Sequence, residues 1–442
     1  MAVSQRAFLI RLYEEYLEEA SFLYSQRRAL LGNDEIPWQK LAGFEERLEA
    51  QIDGLAVGGA LALETAAARA AEGDAGELFA ALCVFCRQGS RERALTALER
   101  LDPAAAEKAC AAGDALKYEL PDGWVPDLLT LLELGDPKLA PVLARAFGYR
   151  RVPCGPQLMA AMRRSAASAL PELVWALGRI GHEPAAECLL DYMRSEDAPV
   201  RSAAGLALAR MGDTWGRFPT RQSGQVGDLP HLLALAGGRD AVGILSGAAT
   251  ADATAALGFL GAPECVPALL SRLERPDTAA PASSALECLT GAGLYETVFV
   301  PEEVKEDELF ESEREALQAG KPPDRGDGRP FGSEVTRVSR EPRRWQDWWS
   351  ANSSRFTPGV RYRGGAPLSP ARLVDLLAAP RTPHEIRRFS GEELAARYAE
   401  DFGFEPDMPA ARQAALLAGA AAAGTRMSFV EGGWYRGGRR VD

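Results

Sequence analysis

Cys83 and Cys86 form the sequence's one Cys-x-x-Cys pair, a spacing suited to thiol–disulfide exchange or to half of a zinc site. Neither reading has the company it needs. There is no second pair, and His182, His231 and His384 lie far apart in the chain. On an apolar helix beside Leu82, two such cysteines read as core. His182 follows a helix-ending glycine, while His231 and His384 each follow a proline at a helix start. None sits in a nucleophile motif. The glycine strings at 237–238, 258–261 and 364–365 form neither a Walker A loop nor a strand-linked dinucleotide fingerprint. No catalytic residue, cofactor site or metal ligand is therefore assigned.

Aromatic and arginine clusters carry a different chemistry, that of partner recognition. Trp345, Trp348 and Trp349 fall on one face of a helix, and Arg361, Tyr362 and Arg363 follow. Trp, Tyr and Arg are the residues enriched at binding hot spots. The spacing suits Trp345 and Trp349 to a core and leaves Trp348 open to either role. Arg179 and Arg210 occupy the same place, two residues before a helix-ending glycine. They read as cations favoured by the helix dipole, or as rungs of a ladder gripping an acidic partner.

Helices must position all of these. Apolar residues at helical spacing mark 4–31 (Phe8, Leu12, Tyr16, Leu23, Leu30) and 38–53 (Leu41, Phe44, Leu48, Ile52), with further helices near 60–72, 76–88 and 90–100. From about 121 a repeated helix ending appears: Leu143-Ala-Arg-Ala-Phe-Gly148, Leu177-Gly-Arg-Ile-Gly181, Leu208-Ala-Arg-Met-Gly212, Leu257-Gly-Phe-Leu-Gly261 and Leu286-Glu-Cys-Leu-Thr-Gly291. The closing glycines lie 33, 31, 49 and 30 residues apart, a period suited to stacked helix pairs. Glycine suits the left-handed turn that ends a helix. The long interval holds a Gly- and Pro-bearing insertion at 213–229. The unit Asp197-Ala-Pro-Val-Arg201-Ser-Ala-Ala-Gly-Leu-Ala-Leu resembles HEAT and bilin-lyase-type repeats. The sequence thus predicts an all-α chain: an N-terminal helical domain over 1–115, a HEAT-like α-solenoid over 116–300, an acidic helix and flexible loop over 301–340, and a C-terminal helical cap over 341–442. Within the last part, helices are expected at 370–379, 384–399 and 408–423, before a Gly-Trp-Tyr-Arg tail that is loose or docked by its aromatics.

Composition narrows the partners. Hydrophobic residues at 47% and charged residues at 25% are globular values. A net charge of -12 repels phosphate backbones, so nucleic acid is not expected. No apolar run is long enough for a membrane span. Seven cysteines, an odd number, and no secretory leader lead to the expectation of a cytoplasmic protein with reduced thiols.

Several segments together resemble a bacterial family of uncharacterised HEAT-like-repeat proteins often encoded near type VI secretion components. They are Leu17-Glu-Glu-Ala-Ser-Phe-Leu23, Glu46-Arg-Leu-Glu-Ala-Gln-Ile-Asp-Gly-Leu55, Gly76-Glu-Leu-Phe-Ala80, the repeats and the stretch from Trp345 to Arg363. The resemblance implies no activity and transfers no catalytic residue. It leads to the expectation of a non-enzymatic scaffold or adaptor that binds a protein, such as a secreted effector or spike component. An immunity protein that binds a toxin, and a HEAT-repeat enzyme of lyase or glycosylase type, are the other classes weighed.

Overall fold

The computed structural model describes residues 4–33, 36–102, 105–212, 229–301, 309–320, 331–424 and 428–441. Ser4 starts the first helix, Gln5–Leu31, its hydroxyl accepting from the amide of Ala7 at 3.2 Å. Leu41–Val57 and Gly59–Glu72 pack on it, burying Leu17, Leu23, Ile52 and Leu55. Asp74 and Glu77 form a capping box that opens the next helix, Ala75–Arg87. The hydroxyl of Ser21 donates to the same Asp74 carboxylate at 2.8 Å, which ties that helix start to the first helix.

Ala75–Arg87 is also the first of a row. Ala106–Glu119, Ala140–Arg150, Leu170–Ile180, Ala198–Met211, Pro230–Ala236, Ala251–Leu260 and Ala279–Thr290 follow, each packed on the one before. Short helices alternate with them: Arg91–Glu99, Val125–Leu134, Gly155–Met162, Ala186–Tyr192, Asp240–Gly247 and Val266–Arg272. Helices thus pack in sequential pairs. Small residues set the spacing of the row. A Cβ on Gly148 would stand 2.9 Å from the Cα of Ala176, and one on Gly178 or Gly258 would stand 2.6 Å from that of Ala207 or Ala285. One glycine-on-alanine contact therefore recurs along the row and lets neighbouring backbones approach.

Of the five glycines that mark the period, Gly181, Gly261 and Gly291 cap their helices with φ of 63°, 72° and 57°. Gly212 also has positive φ, at 80°. Gly148 does not close its helix. It lies inside the helix against Ala176, and Arg151 takes the left-handed position at φ 56°.

The molecule is mostly helical, with twenty-two α-helices among the described residues, and it also holds three two-stranded sheets. The expected flexible loop over 301–340 is corrected in part. Tyr295–Pro301 and Gly332–Val338 form an antiparallel ribbon, with Tyr295 opposite Val338 and Pro301 opposite Gly332. Its Tyr-Glu-Thr-Val-Phe-Val alternation is a strand pattern, but its partner lies beyond an intervening segment of chain. Glu311–Gln318 is a helix, as the acid-rich stretch suggested, while 302–308 and 321–330 lie outside the described residues, as does the insertion at 213–228.

The C-terminal part is not an end cap. Its helices Pro342–Asn352, Pro370–Ala378, His384–Tyr398 and Ala410–Ala423 run back along the row. Pro342–Asn352 packs on Val266–Arg272, His384–Tyr398 on Ala198–Met211 and Pro230–Ala236, and Ala410–Ala423 on Leu41–Val57 near the N-terminus. The Nε1 of Trp38 donates to the carbonyl of Ala379 at 3.3 Å, and the carboxylate of Glu45 accepts from the amide of Ala410 at 2.7 Å. Among the described residues no helix is long and apolar enough to cross a membrane.

Candidate functional site

Helices end with carbonyls that have no partner inside the helix. The C-terminal segment covers the ends of the row with guanidinium groups. Arg361 donates from Nε to the carbonyl of Leu260 at 2.7 Å and from Nη2 to that of Phe259 at 3.2 Å. Arg363 donates to the carbonyls of Gly258 and Phe259, both at 2.7 Å. Arg397 donates to the carbonyls of Ala234 and Tyr435 at 2.5 and 2.9 Å. All three converge on one carboxylate, Glu393, at 2.5, 2.6 and 3.2 Å. Glu393 is fully buried, and so, within 1%, are the three arginines. Three cations face one anion, and the remaining positive charge is met by the negative ends of helix dipoles. Burial alone would raise the carboxyl; Arg361, Arg363 and Arg397 outweigh it and hold Glu393 down to about 2.

Glu392, the next residue, faces a second set. It takes Arg210 at 2.8 Å and also pairs with Arg179. Arg179 reaches Glu405 at 2.6 Å, and Arg151 reaches Glu405 at 3.0 Å and Asp401 at 3.3 Å. Arg210 also pairs with Asp401. Burial is again outweighed, here by Arg179 and Arg210 at Glu392 and by Arg210 and Arg151 at Asp401, and both carboxyls are held down to about 2. Arg179 and Arg210 do grip acidic residues, and those residues belong to the same chain.

The other sequence-predicted residues are also engaged internally. Trp345 is 1% exposed and donates its indole N–H to the carbonyl of Ser339 at 2.7 Å. Trp348 and Trp349 are half-buried around Phe356, with ring centroids at 6.2 and 5.2 Å, and Phe356 in turn meets Tyr362 at 4.9 Å. The structure gathers Trp348, Trp349 and Tyr362 around Phe356 and buries Trp345 in the same hydrophobic core. It places Arg361 and Arg363 under the Glu393 set, and Arg179 and Arg210 under the neighbouring Glu392 set. Cys83 and Cys86 lie buried, and burial pushes both thiols up, Cys86 to about 12. His231 and His384 are pushed down by burial. Among the described residues no cluster of His, Cys, Asp and Glu is arranged to hold a metal.

Sequence reasoning missed a duplication. Thr357–Leu368 and Val430–Val441 share Tyr-Arg-Gly-Gly, at 362–365 and 435–438. Each run forms a hairpin whose two glycines have φ of 58° and 77°, or 52° and 76°. In each, the Tyr hydroxyl accepts from the amide five residues upstream, Thr357 at 2.9 Å and Val430 at 2.7 Å. Each pair of glycine amides docks on a helix end. Gly364 and Gly365 donate to the carbonyls of Cys288 and Leu289 at 2.7 and 3.0 Å, and Gly437 and Gly438 to those of Ala396 and Arg397, both at 2.8 Å. Comparing the chain with itself would have found the pair. A search for periods across the repeats passes over it.

Between the row and the C-terminal segment lies a groove of about 470 Å³. Pro171, Trp175, Pro199, Ala203 and Leu206 line one side, and His384, Arg388 and Pro406 the other. Trp175 is half-buried, with the guanidinium of Arg179 over its ring at 4.8 Å. No protein-family model, curated protein or solved structure matches this chain.

The depressed carboxyls carry a pH prediction. A carboxyl whose folded pKa lies below its unfolded value contributes stability that is complete above the unfolded value and fades as pH falls through the folded one. Glu392, Glu393 and Asp401 should therefore hold the C-terminal segment fully above about pH 4.5, their ordinary range being 3.8 to 4.5, and lose it towards pH 2. Each contributes a slope of up to roughly 1.4 kcal/mol per pH unit in that window. Chemical denaturation at pH 5, 4 and 3 should show stability falling across this range. A flat response would mean that these carboxyls are not paired as described.

Proposed function

We propose that this chain is a non-enzymatic binding scaffold: an α-solenoid of HEAT-like pairs whose groove receives a segment of a partner protein. The observation that carries this reading is the groove itself. It is concave, it lies between two parts of the chain, and its apolar shelf of Pro171, Trp175, Pro199 and Leu206 is half-buried or exposed. Binding sites favour such positions. Stacked helix pairs commonly serve as binding surfaces. The resemblance to proteins encoded near type VI secretion components suggests an adaptor in effector or spike loading.

Ser202 is exposed and lines the groove, so a photo-cross-linking residue placed there should capture a discrete partner in the native host. The same residue at the exposed Leu134 should not. Equal capture at both positions would overturn the scaffold reading. Deleting the gene should lower secretion of an associated effector. Rescue of cells from a toxin, with secretion unchanged, would favour the inhibitor instead.

A further inference from the structure

We propose that the groove recognises an extended, uncharged peptide segment, with a proline or leucine side chain on the Trp175 shelf and a main-chain carbonyl accepting from the hydroxyl of Tyr149. This rests on the scaffold reading and names the kind of segment it takes.

Three observations argue for that occupant. First, Tyr149 lines the groove and is 3% exposed, yet its hydroxyl has no hydrogen-bond partner. A buried donor left unpaired is costly, so a group that satisfies it is favoured. Burial pushes the phenol up, so it remains a donor and calls for an acceptor. Second, the charges around the groove balance. Lys117, Arg145, Arg179 and Arg388 stand against Glu172, Glu392, Glu405 and Asp407. Lys117 is held by Asp114 at 3.0 Å and by Asp407 at 2.5 Å, and Arg145 by Asp114 and Glu172, both at 3.3 Å. Arg179 is paired too, so a charged ligand would have to break one of these pairs or settle for the exposed Arg388, whose pair with Glu385 is weak. Third, the groove continues the interface along which the chain's own C-terminal segment lies against the row. Elsewhere on that interface main-chain groups of the segment fill the space, as Gly364 and Gly365 do on Cys288 and Leu289. Beside Trp175 the segment leaves about 470 Å³ open, a volume that suits a few residues of peptide.

The test is selection of a phage-displayed library of random dodecapeptides on the full chain. Enriched peptides should be close to neutral and carry proline or leucine. Ser202→Trp, which fills the groove from an exposed position, should abolish their binding. Tyr149→Phe should weaken the selected peptides about tenfold, the loss of one hydrogen bond, while leaving thermal stability unchanged or raised, because no existing bond is broken. A purely structural Tyr149 would lower stability and leave peptide affinity alone. Strongly charged winners, or winners indifferent to both substitutions, would overturn the inference. Peptides that bind elsewhere while cross-linking at Ser202 still captures a partner would leave the scaffold reading standing without it. Groove-dependent peptides with no cross-linked partner would do the reverse.

Discussion

Glu393→Gln should destabilise the protein by roughly 3–5 kcal/mol, the cost of leaving buried charge without its counter-ion. The substitution is nearly isosteric, so the effect is electrostatic. It leaves Arg361, Arg363 and Arg397 with helix-end carbonyls as their main partners. Burial, and then the neighbouring Arg361, already push Arg397 down to about 9, so the cluster is poor in negative charge before the change. The glutamine amide would also turn a donor towards groups that can only donate. Glu385→Gln is the matched control. Its pair with Arg388 is 2.7 Å long, but the two side chains are 62% and 46% exposed. Such a pair is worth at most about 1 kcal/mol. Equilibrium denaturation should separate the two variants clearly, and limited proteolysis of Glu393→Gln should cut first within the C-terminal segment. Equal losses would mean that the Glu393 cluster is no anchor.

The helix row was legible because its signals are local. Helical spacing, prolines in first turns and glycines at helix ends all act within a few residues, and they mark the ends of Ala140–Arg150, Leu170–Ile180, Ala198–Met211, Ala251–Leu260 and Ala279–Thr290 to within a turn, but they do not locate the short Gly155–Met162, Asp240–Gly247 and Val266–Arg272. What the glycines face was not legible. Gly261 and Gly291 read as caps, which they are, yet the same positions also receive the backbone of residues about 70 to 100 places later in the chain. Arg179 was legible as a cation near a helix end, but nothing local announces that Glu392 and Glu405 of the same chain will arrive there. Burial inverted the expectation for Arg361 and Arg363. Arginine is usually exposed, and an Arg-Tyr-Arg run beside tryptophans looks like the rim of a binding site. The carbonyl end of Ala251–Leu260 and one carboxylate make its burial tolerable. Nothing in the sequence singles out Tyr149, since an unpartnered hydroxyl becomes visible only in three dimensions.

Three glycines that look alike in sequence should respond differently to alanine, and the difference measures how firmly the C-terminal segment is pressed onto the row. Gly181, Gly261 and Gly291 all close helices of the row in the left-handed region. Alanine there costs roughly 1–2 kcal/mol in backbone strain. The chain tolerates that strain elsewhere, since Ala399 holds φ of 54°. At Gly181 no described atom lies within 4 Å of the new Cβ, so strain is the whole expected effect. At Gly261 the Cβ would stand 2.4 Å from the carbonyl oxygen of Tyr362, and at Gly291 it would stand 2.6 Å from the carbonyl carbon and oxygen of Gly364. Those are backbone atoms and cannot rotate away. Relieving the clash means lifting the first hairpin and with it the Tyr362 amide, which donates to Gly261 at 2.7 Å. Gly261→Ala and Gly291→Ala should therefore lose roughly 2–5 kcal/mol, strain and overpacking together. They should also expose the hairpin to protease, whereas Gly181→Ala should do neither beyond its strain. Because His384–Tyr398 and the residues after it form the far wall of the groove, lifting the segment should also reduce cross-linking from Ser202. Three equal losses with an unchanged protease pattern would show that the glycines serve only their own helix ends, and that the segment is held by its ion clusters alone.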